Sequence, residues 1–166
     1  MTEEATTKQA VTLVVNATSQ AIWVGPSDML HDVLHDQLGL SEVRYGCGEG
    51  VCGTCTVLLD GEPVSACLML AVQAAGHEIT TLRGLMGSGG SLHPIQERFL
   101  AHGGAQCGFC TPGLIMTSYS LVRRCPRPSR AEIRSELVGN LCRCTGYTKF
   151  LNAIEDYAGR EADGVS

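Results

Sequence analysis

The sequence is poor in charged and aromatic residues. Of its 166 residues, only 17% are Asp, Glu, Lys or Arg, and 5% are Phe, Trp or Tyr. The charged share lies below the roughly 25% of average soluble proteins, whereas hydrophobic residues, at 44%, are numerous enough to build a core. This composition excludes an intrinsically disordered tail, a coiled coil and a collagen-like chain. The low charge also predicts that partner subunits cover part of the surface.

Long apolar runs and basic clusters are missing as well. No stretch approaches the roughly 20 apolar residues of a membrane span, and the net charge is -5 with no basic run longer than two residues. We therefore expect neither a membrane span nor nucleic-acid binding. Residues 1–10 have no basic start and no apolar stretch, so we expect no secretory signal and a cytoplasmic location. In that reducing compartment, cysteines serve metals or catalysis more often than disulfides.

The first half of the chain is predicted to be a small mixed α+β unit. Alternating apolar and β-branched residues predict five short strands, at residues 11–17, 21–24, 56–59, 64–68 and 77–82. The polar segment 16–20 and the pair Asp60-Gly61 are the expected hairpin turns. Between the second and third strands, Pro26-Ser27-Asp28 indicates the start of a helix that ends at Gly39.

The second half is predicted to be helical. Apolar residues at helical spacing predict four helices, at residues 93–102, from 111 to a stop at Pro126, at 129–138, and at 149–158. A capping box begins the third helix at Ser129, and Thr148 is expected to cap the fourth. The glycine-rich segment 87–90 is a candidate linker. We therefore divide the chain into a first domain, residues 1–84, and a second domain, residues 85–166.

Eight of the nine cysteines fall into two groups of four. The first group has the spacing Cys-x4-Cys-x2-Cys with a fourth cysteine after eleven intervening residues, and it consists of Cys47, Cys52, Cys55 and Cys67. The second group is Cys-x2-Cys followed, after 31 intervening residues, by Cys-x-Cys, and it consists of Cys107, Cys110, Cys142 and Cys144. Four thiolates suit a tetrahedral sulfur site, so the candidate metals are zinc and iron–sulfur.

The spacing of the first group favours iron–sulfur over zinc. Cys-x4-Cys-x2-Cys with a distant fourth cysteine is the plant-type spacing of a [2Fe–2S] cluster. The glycines at 46, 48, 50 and 53 allow the backbone to wrap closely and point N–H groups at the sulfurs. The second group alone fits zinc as well as iron–sulfur. Two four-cysteine sites in one small chain without a catalytic constellation nevertheless favour an electron relay.

Three motifs resemble those of the molybdenum hydroxylase (xanthine dehydrogenase) family. The string YGCGEGVCGTCT at residues 45–56 resembles the N-terminal cluster motif of that family. The strings QCGFCTPG at residues 106–113 and GNLCRCTGY at residues 139–147 resemble its second pair of motifs. The resemblance covers residues 12–157. The chain is similar to the separate small iron–sulfur subunit of these enzymes, which include carbon monoxide dehydrogenase.

The resemblance implies an α+β fold with a ferredoxin-like β-grasp domain followed by a four-helix domain, each with one [2Fe–2S] cluster. It implies a large partner subunit with a molybdenum–pterin cofactor and a medium partner subunit with FAD, assembled as a dimer of heterotrimers. Electrons would pass from molybdenum to the second group's cluster, then to the first group's cluster and to FAD. The resemblance makes all eight cysteines of the two groups cluster ligands.

The resemblance also assigns two residues to the pterin. Gln106 and Cys144 match positions that touch the pterin cofactor, and the match at Gln106 resembles members that carry its cytosine dinucleotide form. The ninth cysteine, Cys125, fits neither group and is predicted to be a non-ligand thiol. His31 and His35 lie four residues apart, but we expect them on a solvated helix face rather than at a metal.

Two alternatives remain at this point. A free-standing ferredoxin-like carrier with a fused helical module would contain the same cysteines, but a carrier usually steers its partners by surface charge, of which this chain has little. A zinc-structured adaptor conflicts with the ferredoxin spacing of the first group. The sequence therefore favours a fixed electron-transfer subunit.

Overall fold

A computed structural model describes residues 7–164, which form a mixed α+β fold with a five-stranded sheet in the first half and helices in the second. The strands are β1 Gln9–Val15, β2 Thr18–Val24, β3 Thr56–Leu59, β4 Glu62–Ser65 and β5 Glu78–Thr80. The helices are α1 Leu30–Asp32, α2 Pro94–Ala101, α3 Thr111–Arg124, α4 Arg130–Glu136 and α5 Thr148–Asp163. Within the described range, no helix is both long and apolar enough to cross a membrane.

The sheet has the strand order β2-β1-β5-β3-β4. Two antiparallel hairpins, β1–β2 and β3–β4, lie on either side of β5, which pairs in parallel with β1 and antiparallel with β3. Each hairpin turns on two residues of positive φ, Asn16-Ala17 in the first and Asp60-Gly61 in the second. This is the type I′ geometry that matches the twist of the flanking strands. The first turn is therefore shorter than the predicted segment 16–20, and β2 begins at Thr18.

The predicted strand over 64–68 differs from the structure. The strand β4 ends at Ser65, and a short 3-10 turn, Ala66–Leu68, follows it. This turn bends the chain so that Cys67 is buried at the end of the sheet. The chain leaves the strand because Cys67 must reach the loop that holds the other three cysteines of its group.

The helix predicted from Pro26 to Gly39 is also different. One α-turn, Leu30–Asp32, passes directly into a π-helical turn, Val33–Gln37, in which the backbone N–H of Leu38 donates to the carbonyl of Val33. Asp28 does not cap the helix; its carboxylate instead accepts from the backbone N–H of Gly25. The apolar residues expected on one side of this helix, Leu30, Val33 and Leu34, are buried in the core of the first half, and Leu38 packs against that core.

The helices of the second half enclose an apolar core. The core is centred on the stacked rings of Phe99 and Phe150, 5.7 Å apart, and includes Leu114, Ile133 and Ile154. Leu58 of β3 belongs to the same core, so the sheet and the helices share buried surface. The helices begin where the sequence predicts at Pro94, Thr111 and Arg130. The division of the chain at residues 84 and 85 and a separate four-helix domain remain predictions.

The fourth predicted helix begins and ends differently. Thr148 is the first helical residue of α5 rather than its cap, because Tyr147 takes the N-cap position in the left-handed conformation at φ 67°. The helix also continues to Asp163 instead of stopping near Ala158. The backbone bends sharply at Tyr147, since the preceding loop must bring Cys142 and Cys144 to the second cysteine site.

Candidate metal centres

The first group of cysteines meets at the end of the sheet. Cys47, Cys52 and Cys55 lie on the glycine-rich loop that leads into β3, and Cys67 lies on the 3-10 turn after β4. Cys55 and Cys67 are buried, whereas Cys47 and Cys52 are half-buried. The thiols interact in two pairs, Cys47 with Cys52 and Cys55 with Cys67. The structure thus brings the four predicted residues together.

The two pairs of the first site have different electrostatic surroundings. The backbone N–H of Glu49 donates to the sulfur of Cys47 at 3.4 Å, and together with hydrogen bonds from Cys52 it lowers the pKa of the Cys47 thiol to about 6. Burial raises the pKa of the Cys55 thiol to about 12. The glycine-rich loop therefore points a backbone donor at sulfur, as the sequence predicts, and favours the thiolate on its outer side.

The second group of cysteines meets between two helices. Cys107 and Cys110 precede α3, and Cys142 and Cys144 precede α5. The sulfurs of Cys107 and Cys144 are 3.6 Å apart on the surface, and the half-buried thiols of Cys110 and Cys142 interact beneath them. The structure therefore brings these four predicted residues together as well, again in two pairs.

The surroundings of the second site also separate its thiols. A backbone hydrogen bond from Phe109 lowers the pKa of Cys107, while burial raises the pKa of Cys110 to about 12. For Cys142, burial is outweighed by hydrogen bonds that include the hydroxyl of Thr145 at 3.2 Å, so its pKa lies below the usual value. The hydrogen bond with the Cys107 thiol raises the pKa of Cys144. In each pair of the second site, one thiol therefore has a lowered pKa and its partner has a raised pKa.

The arrangement in pairs fits a two-iron cluster better than a single metal ion. A tetrahedral zinc site requires four ligands at one centre. A [2Fe–2S] cluster instead takes two ligands on each of its two irons. The four-thiol sets of both sites therefore fit [2Fe–2S] clusters.

The loops of the two sites are joined by hydrogen bonds. The backbone N–H of Leu141 donates to the carbonyl of Cys52 at 2.9 Å, and the hydroxyl of Thr54 donates to the carbonyl of Phe109 at 2.9 Å. The buried side-chain amide of Asn140 donates to the carbonyl of Gly53 at 3.1 Å. Each bond joins a residue of the first site's loop to a residue beside a cysteine of the second site.

Arg44 adds a further contact between the two sites. Its guanidinium donates to the carbonyl of Gly108, and its terminal carbon lies 5.5 Å from the ring centre of Phe109. A cation over an aromatic face at this distance is attractive. The side chain therefore holds the loop of Cys107 and Cys110 against the first half of the chain.

Two glycines allow this close approach. Gly53 has φ +66°, and a Cβ on it would lie 2.3 Å from the carbonyl oxygen of Gly139. A Cβ on Gly113, in the first turn of α3, would lie 1.9 Å from the carbonyl oxygen of Gly53. Real Cβ atoms do not approach backbone oxygen so closely, so the two halves touch backbone to backbone here.

The two residues predicted to touch the pterin lie on one exposed surface. Gln106 is exposed and directly precedes Cys107, whose sulfur is 3.6 Å from that of Cys144.

The residues that join the two sites, in contrast, are missing from the predictions. Asn140 and Thr54 lie inside the recognised motifs, and this is the only sign in the sequence that they have a role. Their hydrogen-bond partners are 87 and 55 residues away, so local sequence does not reveal the contacts.

The expectation of a solvated histidine face is wrong for His31. This residue is 4% exposed, and its ring lies 5.1 Å from that of Tyr45 and stacks on His35 at 5.4 Å. The Nδ1–H of His31 donates to the carboxylate of Asp32 at 2.8 Å. Cys125 is half-buried and packs against the helical core at the C-terminal end of α3, whereas Cys110 lies at the other end of that helix.

Comparison with known domain families gives two adjacent matches. Residues 13–80 match the "2Fe-2S iron-sulfur cluster binding domain" family, and residues 81–155 match the "[2Fe-2S] binding domain" family. Together the two matches include all eight paired cysteines.

Individual relatives match along nearly their whole length. The nicotinate dehydrogenase small FeS subunit of Eubacterium barkeri is 43% identical over 147 residues, which are 89% of this chain and 93% of that one. The caffeine dehydrogenase subunit gamma of Pseudomonas sp. (strain CBB1) is 47% identical over 148 residues, 87% of this chain and 88% of that one. A crystal structure of quinoline 2-oxidoreductase from Pseudomonas putida 86 contains a chain with a TM-score of 0.90 and 41% identity, covering 96% of this chain and 99% of that one.

Proposed function

The chain belongs to the iron–sulfur subunits of the molybdenum hydroxylase family, and from this membership we propose that it passes electrons from a molybdenum–pterin centre on a large partner subunit to FAD on a medium partner subunit. The observation that carries the proposal is the direct contact between two four-thiol sites. An electron that enters one site can leave by the other without crossing solvent. The chain supplies no substrate site of its own.

All eight paired cysteines are the proposed cluster ligands. The first cluster is assigned to Cys47, Cys52, Cys55 and Cys67, and the second to Cys107, Cys110, Cys142 and Cys144. When bound, each [2Fe–2S] cluster supplies reversible one-electron chemistry. The residues of the chain hold the thiolates in place, shield Cys55 and Cys110 from water and direct backbone N–H groups at sulfur, which tunes the reduction potential.

The second site is assigned to the molybdenum side. Its outer thiols, Cys107 and Cys144, are exposed, and so is the neighbouring Gln106. We assign Gln106 and Cys144 to contact with the pterin, in its cytosine dinucleotide form. An exposed thiolate pair beside a long amide side chain suits a cofactor held by another subunit, because that cofactor must approach from outside.

Exposed apolar side chains at both sites support two partner surfaces. Near the first site these are Tyr45, Val51 and Leu68, between 56% and 59% exposed. Near the second they are Phe109, Val138 and Leu141, between 47% and 75% exposed. Clusters of exposed apolar residues mark interaction sites. We assign the first surface to the FAD subunit and the second to the molybdenum subunit.

The domain division of the chain and the assembly of the complex are part of the same proposal. We infer a ferredoxin-like β-grasp domain over residues 1–84 and a four-helix domain over residues 85–166, with the contact between the cysteine sites at their boundary. The complex is proposed to be a dimer of heterotrimers in the cytoplasm. The names of the relatives, a small FeS subunit and a subunit gamma, are those of parts of larger enzymes and support a place for this chain in a multi-subunit enzyme.

Purification from the native host tests the function. A tag on this chain should retain a large subunit with molybdenum and a medium subunit with FAD. N-heterocycles and aldehydes are first screened for a substrate of the purified complex. Anaerobic stopped-flow mixing with that substrate should then bleach the flavin absorbance. Cys144→Ser should stop this bleaching, because the second site loses an outer ligand, while Cys125→Ser should leave the rate unchanged.

Two results would contradict the proposal. A stable monomer with both clusters and no partner would indicate the free-standing carrier. Normal flavin reduction in the Cys144→Ser complex would show that electrons reach FAD without the second site.

A further inference from the structure

One buried side chain that is not a cysteine joins the two sites. Asn140 is 4% exposed, and its Nδ2 donates to the carbonyl oxygen of Gly53 at 3.1 Å. Gly53 lies between Cys52 and Cys55, and Asn140 lies two residues before Cys142. This side-chain hydrogen bond therefore joins the first site's loop to the second site's loop, beside the backbone bond from Leu141 to Cys52.

Asn140 is itself held firmly on the side of the second site. Its backbone N–H donates to the carbonyl of Leu137 at 3.0 Å. Its carbonyl accepts from the hydroxyl of Tyr147 at 3.0 Å, and that hydroxyl accepts from the backbone N–H of Cys142 at 2.8 Å. The amide that reaches across to Gly53 thus has a fixed position relative to Cys142.

The carbonyl of Gly53 is also held in place by its neighbours. It accepts from the hydroxyl of Thr56 at 2.8 Å, and Gly113 lies so close that a Cβ there would be 1.9 Å from its oxygen. The carbonyl is therefore confined between β3, the first turn of α3 and the Asn140 amide. Without the Asn140 amide, this carbonyl would keep its donors from Thr56 and lose its side-chain donor from the loop that carries Cys142.

We propose that Asn140 is a positioning residue for electron transfer: its amide fixes the separation and relative orientation of the two clusters. The inference rests on the proposed function, because it takes both four-thiol sites to hold [2Fe–2S] clusters. The residue touches neither cluster in this role. It acts through Gly53 on the first site and through its own backbone on the second.

Magnetic interaction between the two reduced clusters is a direct measure of this geometry. The full chain, reconstituted with iron and sulfide and reduced with dithionite, should give two EPR signals that split each other at low temperature. In Asn140→Ala both signals should remain, and the splitting should be reduced or lost. Asn152→Ala is the matched control, since Asn152 is exposed on α5 and accepts from Arg130 at 3.1 Å; it should keep the full splitting.

A second pair of variants covers the case in which Asn140→Ala does not retain its iron. Thr54 is 3% exposed, and its hydroxyl donates to the carbonyl of Phe109 across the same contact. Thr54→Val removes this donor at nearly constant shape and should reduce the splitting, while Thr54→Ser keeps the hydroxyl and should restore it. Asn140→Asp keeps the shape of the side chain but places a carboxylate oxygen where Nδ2 donates to Gly53; it should also reduce the splitting, and full splitting in the iron-loaded variant would overturn the proposal.

The outcomes separate this inference from the proposed function. A wild-type chain without two [2Fe–2S] signals would refute the proposed function before any variant is compared. Two wild-type signals that do not interact, or an unchanged splitting in iron-loaded Asn140→Ala, would overturn the positioning role and leave the electron-transfer subunit intact.

Discussion

At the scale of single residues, Gly113 allows α3 to pack directly against the loop of the first site. The first turn of α3 passes so close to the loop of the first site that even a methyl group at this position would meet the carbonyl of Gly53 at 1.9 Å. Backbone, unlike the far end of a long side chain, cannot yield cheaply. The close contact between the two sites therefore depends on the hydrogen atom that glycine carries in place of a Cβ.

We expect Gly113→Ala to separate the helix from the loop. The substitution should destabilise the loaded chain by about 1–3 kcal/mol, the usual range for overpacking a well-filled interior, and should lower the iron content of the first site. Urea denaturation followed by circular dichroism, together with iron analysis, measures both effects.

Gly159→Ala is the control for this substitution. Gly159 is exposed inside α5, and nothing lies within 4 Å of a Cβ built on it. Alanine there should stabilise the chain by about 0.5–1 kcal/mol, because glycine is unfavourable in a helix. Equal effects of the two substitutions would show that the contact at Gly53 is looser than described.

At the scale of elements, an ion-pair cluster fastens α2 to α5. The carboxylate of Asp156 on α5 accepts from His102 at 3.0 Å and from Arg160 at 2.8 Å, and Arg98 of α2 lies 3.6 Å away. The hydrogen bonds from Arg160 and His102 lower the pKa of Asp156 to about 2. A carboxyl group with a lowered pKa in the folded chain stabilises the fold only while it is ionised.

Asp156→Asn should therefore reduce stability in a pH-dependent way. The loss at pH 7 should be on the order of 0.5–1 kcal/mol, since partly exposed ion pairs are screened by solvent. The difference from wild type should persist above the unfolded-state pKa of about 4 and fade as the pH falls towards the folded-state pKa of about 2. Urea denaturation of both proteins at pH 7, 5 and 3 measures it.

The matched control for this ion pair is Asp163→Asn. Asp163 also lies on α5, but its pair with Arg127 is largely exposed on both sides. Its removal should change little at any of these pH values. A constant difference between Asp156→Asn and wild type down to pH 3 would show that Asp156 acts by packing rather than by charge.

The elements also show how far the sequence predicts this fold. Both hairpins, the capping box at Ser129 and the start of α3 follow from local chemistry, and the structure has them. The π-turn after Leu30 and the left-handed Tyr147 do not follow from local chemistry. The hydroxyl of Tyr147 bonds to the backbone of Asn140 and Cys142 beside the second site, and no helix or strand pattern in the sequence encodes such a conformation.

The candidate sites, too, are only partly predictable from the sequence. The eight cysteines can be grouped from spacing alone, because a metal cluster requires ligands of one kind at short intervals. The contacts of Asn140, Thr54 and Arg44 between the two sites cannot be predicted in this way. Each is a polar residue whose partner is a backbone carbonyl, and every residue of the distant loop offers such a carbonyl.

For the whole molecule, the arrangement of thiols predicts a definite metal content. The loaded chain should contain about four iron and about four acid-labile sulfide, because each four-thiol site takes one [2Fe–2S] cluster. Zinc should be absent in stoichiometric amount. Plasma emission spectrometry and a sulfide assay on anaerobically purified protein measure this content, with Cys125→Ser as the control that should match the wild type.

A different metal content would overturn the two-cluster arrangement. Two iron atoms with one zinc per chain would mean that the second site is a structural zinc site. In that case Cys107, Cys110, Cys142 and Cys144 would share one metal ion as its four ligands.

The position of β5 has a consequence for how the protein is made. This strand lies in the middle of the sheet, yet the ribosome reaches it only after all four cysteines of the first group. Asn140 is synthesised 87 residues after the Gly53 that it holds. The nascent chain therefore presents these four thiols before the sheet that carries them can close. The sheet can close only after β5 has been synthesised, and the contact between the two sites only after Asn140 has followed it.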